Sequence, residues 1–319
     1  MSSVASTDSE APSTHSLTSQ VGGHANGVLT TEDDTLLIKQ ALPVELQFYR
    51  TVAASTEPAI DALRPYLPKF LGTLTLEGEF DPDKPTTETS IPVKPIATNG
   101  GKESLVLENL THPFTKPNVL DVKLGTVLYD ETASPEKVAR MLKAAENTTS
   151  LKTGIRLTGF QAYGKSITKE QLPEGFARVF PVLGVGEHGA LPSQGLPAGL
   201  LLQILELLRE DVQEIRDAFA QVELRMIGGS LLFIYESDAT RAEEGLKWML
   251  RDLDEEDSES DEDESKPPKP GPAYDVRLID FAHTRFVPGQ GPDEGVLLGL
   301  DTILAQLDQR IHTITTQTK

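Results

Sequence analysis

The nine residues Pro117 to Gly125 (PNVLDVKLG) constrain this chain more than any other stretch. They form an apolar run that reads as a β-strand, with an acid and a base two residues apart. Residues i and i+2 of a strand leave the same face, so Asp121 and Lys123 project together into one site. A carboxylate and an ammonium side by side, next to a glycine, suit the binding of a nucleotide sugar and a phosphate.

The chain of 319 residues is long enough for one large domain or for two lobes with a real core. Its formal net charge is −20, and residues 252–264 (DLDEEDSESDEDE) hold ten acids and no base. So acidic a chain repels DNA, RNA and anionic membrane, and no direct nucleic-acid partner is expected. A polyanionic substrate requires its basic residues to be gathered in one pocket. The absence of cysteine excludes disulfides, Cys-ligated zinc and thiol nucleophiles, and fits a protein of the nucleus or cytoplasm. No uninterrupted apolar run reaches membrane-spanning length. Residues 1–20 are Ser/Thr-rich, with neither a basic start nor an apolar stretch, and read as a disordered tail and not a signal peptide.

Organisation along the chain points to an α+β fold of two lobes. The smaller, 21–111, takes a short strand at 35–39, a helix from 44 to 52, and strands at 66–78 and 103–110 around a polar, Pro/Thr-rich loop at 81–101. The larger, 112–319, holds the opening strand and then a helix started by Ser134 as N-cap and Pro135 as first residue. A strand is expected at 154–163. A helix over 198–220 carries Leu201, Ile204, Leu208, Val212, Ile215 and Phe219 at helical spacing. One or two strands follow at 222–236, then a helix or loop at 240–250. Charge repulsion and proline make 252–273 a disordered insert. A strand at 274–281 and a helix at 293–311 close the chain.

Four further features bear on chemistry. Lys39 at the end of a strand, followed by Glu45 on the next helix, fits a pair in which lysine neutralises nucleotide phosphates and glutamate orients the lysine. Taken alone such a pair is more often solvated surface. Leu105 to Leu110 (LVLENL) is a strand ending in polar residues just before the main motif, the place for a hinge whose backbone reads an adenine edge. Asp280, in Ile279-Asp280-Phe281-Ala282-His283, ends an apolar strand, where a carboxylate serves as a Mg²⁺ ligand in phosphoryl transfer or as a turn cap. The Asp-Phe pair is similar to the metal-binding D-F-G of protein kinases, with Ala282 in place of the glycine. Finally, Lys137, Arg140 and Lys143 sit three apart on the helix after the main motif, within reach of one face.

The order Lys39, Glu45, hinge, Asp121/Lys123, Asp280 and the spelling P-x-x-x-D-x-K-x-G resemble the inositol polyphosphate kinase family, and within it the fungal multikinase branch. Matching pieces include ELQFY at 45–49, LENL at 107–110, GTVLYD at 125–130, SPEK at 134–137, YGKS at 163–166, SLLFIYE at 230–236 and IDFAHT at 279–284. The resemblance implies a two-lobed kinase-like fold with the ATP site between lobes. It implies Mg²⁺-assisted transfer of the γ-phosphoryl group of ATP to hydroxyls of inositol trisphosphate and tetrakisphosphate. Lys39 binds ATP phosphates, Glu108 and Leu110 hold adenine, and Asp121 takes the ribose hydroxyls. Lys123 meets the inositol phosphate and the phosphoryl group, Asp280 binds the metal, and His283 lies near the substrate. The inositol-binding segment falls at about 134–149, with Lys137, Arg140 and Lys143 as its cations and Lys165 as another. A monomer is expected. The alternatives are the trisphosphate 3-kinase or hexakisphosphate kinase branches, or chiefly a nuclear interaction protein whose acidic insert binds basic proteins.

One competing motif is rejected on physical grounds. Gly159 to Ser166 (GFQAYGKS) satisfies G-x-x-x-x-G-K-[ST]. A P-loop must curl its backbone N–H groups around phosphate and start a helix at the lysine. Here the interior is bulky and β-prone, and Pro173 follows with no long apolar helix.

Overall fold

Antiparallel pairing organises the chain, seen in a computed structural model that describes residues 14–16, 28–75, 78–80, 93–95, 103–158, 167–186, 191–251 and 269–317. The chain separates into two compact units, one of Met1–Ala41 with Lys69–Asn109, the other of Leu42–Pro68 with Leu110–Lys319.

The smaller unit is strand-rich. Strands β1 (Thr14–Ser16), β2 (Val28–Thr31), β3 (Leu36–Gln40), β4 (Phe70–Thr75) and β7 (Glu103–Glu108) form one sheet in the order β1-β2-β3-β7-β4. Strand β7 pairs antiparallel with β3 on one side and β4 on the other, with Ile38 opposite Val106. Ile38 and Leu105 are buried there. The β2–β3 turn is tied by Asp33, whose Oδ1 accepts from the hydroxyls of Thr31 (2.6 Å) and Thr35 (2.8 Å). Asn109 closes the unit by donating Nδ2 to Asp34 O at 2.7 Å. A separate two-stranded sheet joins β5 (Gly78–Phe80) and β6 (Val93–Pro95).

Three expectations need adjusting here. The tail expected over 1–20 includes β1, which pairs with β2. The loop expected at 81–101 includes β6. The single strand expected at 66–78 is a 3₁₀ turn at Arg64–Tyr66 followed by β4 and β5. Pro65 and Pro68 lack the N–H a ladder needs, so pairing begins only at Phe70.

The larger unit is α+β. It begins with helices α1 (Pro43–Ala54) and α2 (Pro58–Leu63), each with proline in its first turn. It continues with β8 (Pro117–Leu124), α3 (Pro135–Glu146), α4 (Ser150–Thr153), β9 (Ile155–Leu157), α5 (Leu172–Val179), α6 (Ala198–Phe219), β10 (Leu224–Ile227) and β11 (Ser230–Glu236). Then come α7 (Ala239–Met249), β12 (Tyr274–Ile279), β13 (His283–Phe286) and α8 (Glu294–Gln317). The central sheet runs β12-β11-β8-β9, all antiparallel, and β10 pairs with β13. Leu120, Val122, Leu231 and Phe233 are buried in this sheet. Helix α6 buries the apolar stripe read from the sequence, Leu201 through Phe219, and packs along α8.

The division differs from the expected boundary between 111 and 112 in one segment. Residues 42–68 belong with the larger unit, because the α1 ring of Phe48 stacks on Phe281 at 4.2 Å and on Phe286 at 5.7 Å. The insert expected at 252–273 lies outside the described residues from 252 to 268, while Lys269 onward is described. Among the described residues, no helix is long and apolar enough to cross a membrane.

Close backbone approach seals the end of β8. Gly125 donates its N–H to Gly154 O at 2.8 Å. Gly154 is left-handed (φ +67°), and a Cβ on Gly299 of α8 would lie 2.5 Å from Gly154 O. Gly299→Ala is therefore expected to lower stability by about 1–3 kcal/mol through overpacking. Gly199→Ala, at a helical site with nothing within 4 Å of a new Cβ, should instead gain about 0.5–1 kcal/mol. Chemical denaturation of the two variants checks the contrast.

Candidate active site

Strand β8 places Asp121 and Lys123 on one face, and β11 carries that row across the sheet. Ser230 stands opposite Lys123 on one side and opposite Ile279 of β12 on the other. Asp280, the next residue, therefore arrives beside Lys123. The Lys123 Nζ lies 2.8 Å from Asp280 Oδ2 and 3.7 Å from Asp121 Oδ2. One ammonium thus sits between two carboxylates drawn from strands far apart in the chain.

The two carboxylates live in different surroundings. Asp121 is 2% exposed, and burial pushes its carboxyl above the usual range. The Lys123 charge opposes that shift. No donor reaches hydrogen-bond geometry on Asp121 Oδ1, and Ser230 Oγ is likewise without a partner among the described residues. The buried acceptor capacity here is unused, a condition found where function requires it. Asp280 is more open, and its backbone is left-handed, φ +66°. Non-glycine residues take that conformation infrequently, Asp and Asn more readily than most. Its neighbour Phe281 is buried and anchors it, stacked face to face on Phe48 and meeting the edge of Tyr49 at 5.6 Å. The ELQFY and IDF segments are thus two halves of one aromatic cluster.

A second charged group lies at the start of α3 and β13. Asp130 Oδ2 is 3.1 Å from His283 Nδ1 and 3.6 Å from Lys137 Nζ. Its Oδ1 accepts from Thr132 N at 3.0 Å and Thr132 Oγ1 at 2.6 Å. These partners, the Thr132 hydroxyl foremost and then the Lys137 and His283 charges, hold the Asp130 carboxyl below the usual range. Ser134 caps α3 as expected, its Oγ accepting from Lys137 N at 3.3 Å. Farther along α3, Arg140 and Lys143 are exposed. His283 opens β13 opposite Ile227.

The remaining expected positions lie on other elements. Lys39 lies on β3 and Glu108 ends β7 in the smaller unit, where Glu108 Oε1 accepts from Lys69 N at 2.8 Å. Leu110 belongs to the larger unit and packs with Phe114 and Ile234. Lys165, together with the whole Gly159 to Ser166 segment, lies outside the described residues.

Residues that the sequence did not single out complete the frame. Glu236 is buried and accepts from the N–H groups of Thr115 (2.6 Å), Lys116 (3.0 Å) and Asp238 (2.9 Å), which fixes the entry into β8. Its signal was an acid closing the apolar strand SLLFIYE. Asp293 Oδ1 accepts from Gly295 N at 3.1 Å and Val296 N at 3.2 Å, while Oδ2 takes Met226 N at 3.1 Å, tying α8 to β10. Asp130 stood within the GTVLYD piece without a role.

A sequence model described as inositol polyphosphate kinase matches residues 104–308, which hold the β8 motif, Asp280 and His283. The chain belongs to that family. It is 30% identical to the inositol polyphosphate multikinase of Saccharomyces cerevisiae over 89% of this chain and 95% of that protein. It is 32% identical to inositol hexakisphosphate kinase 1 of Rattus norvegicus over 64% of this chain, spanning 51% of that relative. A crystal structure of the S. cerevisiae inositol phosphate multikinase in complex with ADP and Mn²⁺ superposes with a TM-score of 0.60 at 28% identity, over 86% of this chain and 98% of that one. The family's fold is thus present here, a strand-rich N-terminal sheet followed by a larger α+β region.

The burial of Asp121 has a thermodynamic consequence. A carboxyl whose folded pKa is raised binds its proton more tightly in the fold. Its favourable contribution is full below the unfolded pKa and is lost as pH rises through the folded one. Once ionised, Asp121 therefore costs stability. Asp121→Asn should melt higher than the parent where Asp121 is ionised, with the difference shrinking in acid. Melting curves across pH test this, and a lower melting temperature where Asp121 is ionised would contradict it.

Proposed function

We propose that this member of the inositol polyphosphate kinase family is a multikinase, transferring the γ-phosphoryl group of ATP to hydroxyls of inositol trisphosphate and tetrakisphosphate. The observation that carries the reading is Lys123, held 2.8 Å from Asp280 and 3.7 Å from Asp121 on one sheet face. Alignment with the yeast multikinase over 89% of this chain, against 64% for the hexakisphosphate kinase, favours the multikinase branch.

Roles follow from chemistry. In phosphoryl transfer, positioning and charge neutralisation outweigh covalent work by the protein. Lys123 is the cation for the phosphoryl group in flight and the acceptor's phosphate. Asp121, buried with an unused acceptor oxygen, takes the ribose hydroxyls. Lys39 is assigned to the ATP phosphates, with Glu108 and Leu110 assigned to the adenine. Lys137, Arg140, Lys143 and Lys165 supply positive charge for the inositol phosphates, and His283 contacts the acceptor.

The donor set suits a hard divalent cation. Asp280 offers carboxylate oxygen at the more open edge of the site, and Mg²⁺ is held by one or two carboxylates with the remaining positions left to water and phosphate oxygens. When bound, Mg²⁺ neutralises charge on the phosphates. Asp280 is the residue to hold it. The residues themselves orient the two substrates and exclude alternative poses, with Lys123 stabilising the negative charge that spreads over the transferring group.

Two experiments test this. Incubation with ATP, Mg²⁺ and a panel of inositol phosphates, resolved by anion-exchange chromatography, should yield higher polyphosphates. Asp280→Ala should reduce turnover by at least about 10³-fold while leaving the circular dichroism spectrum intact. Substantial residual activity would refute the metal assignment.

The acidic run of ten acids at 252–264 favours a second, compatible role in binding basic nuclear proteins. Deleting 252–266 should leave kinase activity unchanged and abolish retention of the protein on immobilised histones.

A further inference from the structure

Asp130 is absent from the roles assigned above, yet it joins three parts of the site. Its carboxylate ties the turn at Thr132, the first turn of α3 through Lys137, and the start of β13 through His283. Each oxygen is committed. Oδ1 is taken by the Thr132 amide and hydroxyl at 3.0 and 2.6 Å, so Oδ2 alone faces the imidazole and the ammonium.

The protonation pattern follows from donor and acceptor chemistry. An ionised carboxylate can only accept. His283 Nδ1 lies 3.1 Å away, so a ring that turns an N–H onto this oxygen carries its hydrogen at Nδ1. In the neutral imidazole the other nitrogen, Nε2, is left as an acceptor. The imidazole stays 42% exposed, open to a ligand. An acceptor at Nε2 matches a hydroxyl and mismatches a phosphate oxygen, whereas the Lys137 ammonium held by the same carboxylate matches a phosphate. The pair presents complementary groups to a polyol carrying a hydroxyl next to a phosphate.

We propose that Asp130 is a positioning residue for the phosphoryl acceptor, fixing His283 as the Nδ1–H tautomer so that Nε2 receives a hydroxyl of the inositol ring while Lys137 is held alongside for a neighbouring phosphate. This rests on the kinase reading for the identity of the ligand, but the tautomer itself does not.

Asp130→Asn is the discriminating variant. Asn keeps one oxygen, which the Thr132 donors claim, and turns an amide N–H₂ toward His283 Nδ1, donor against donor. Turnover on inositol phosphate should fall by about tenfold or more, with the KM for ATP unchanged. In a His283→Ala background the same change should cost clearly less than it does alone, the remainder being what acts through Lys137, because residues acting through one another are not additive. Multiplying losses in the double variant, or a raised KM for ATP, would overturn the proposal.

Nitrogen–proton correlation spectra of ¹⁵N-histidine-labelled protein give a readout that needs no activity. With His283 identified among six histidines by the missing signal in His283→Ala, the wild type at mildly alkaline pH should show the Nδ1–H form, and Asp130→Asn should lose it. An Nε2–H form in the wild type would overturn the role of Asp130. A wild type that shows the Nδ1–H form but phosphorylates no inositol phosphate would uphold the positioning and sink the kinase reading instead.

Discussion

The antiparallel register of β8, β11 and β12 puts Lys123, Ser230 and Ile279 in one row across the sheet. Because side chains alternate faces, a slip of one residue in β8 would carry Asp121 and Lys123 to the opposite side together. A slip in β12 would withdraw Asp280 from the ammonium. The buried alternation of Leu120, Val122 and Leu124 against Leu231 and Phe233 makes either slip expensive. The hydrophobic pattern that folds the sheet is therefore also what aligns the charges, and the Glu236 clamp on Thr115 and Lys116 sets the strand's starting point.

Two local costs are concentrated at the site. A buried carboxylate with an unused oxygen at position 121 and a left-handed aspartate at 280 are both unfavourable in isolation. They persist because their surroundings over-determine them. Lys123 lies between both carboxylates, and the rings of Phe48, Tyr49 and Phe281 immobilise the turn at Asp280. Such local conflict in an otherwise consistent sheet is what a ligand-binding site looks like before its ligand arrives.

What could be read from the sequence was what depends on neighbours in the chain. The strand at 117–124 is marked by its apolar run, α3 by Ser134 and Pro135, and α6 by the spacing of Leu201 through Phe219. Motif spelling brought Asp280 and Lys123 into one hypothesis, and the structure sets them 2.8 Å apart. Contacts between distant segments were not legible. The stacking of Phe48 on Phe281, which takes α1 into the larger unit, has no local signature. Nor has the convergence of His283 and Lys137 on Asp130. Helix α8 runs to Gln317, past its expected end at 311, and Ile314 in that last stretch is fully buried. The apolar face thus continues through a run of threonines that hides it in the sequence.

The Phe48–Phe281 stack bears on how readily a ligand can be received. A side chain on a loose turn loses rotational and backbone freedom when it captures an ion or phosphate, and that loss subtracts from affinity. Because Phe281 is locked between rings, the turn at Asp280 surrendered its freedom when the chain folded. Binding at this carboxylate starts from a preorganised state, and its ordering entropy is charged to folding.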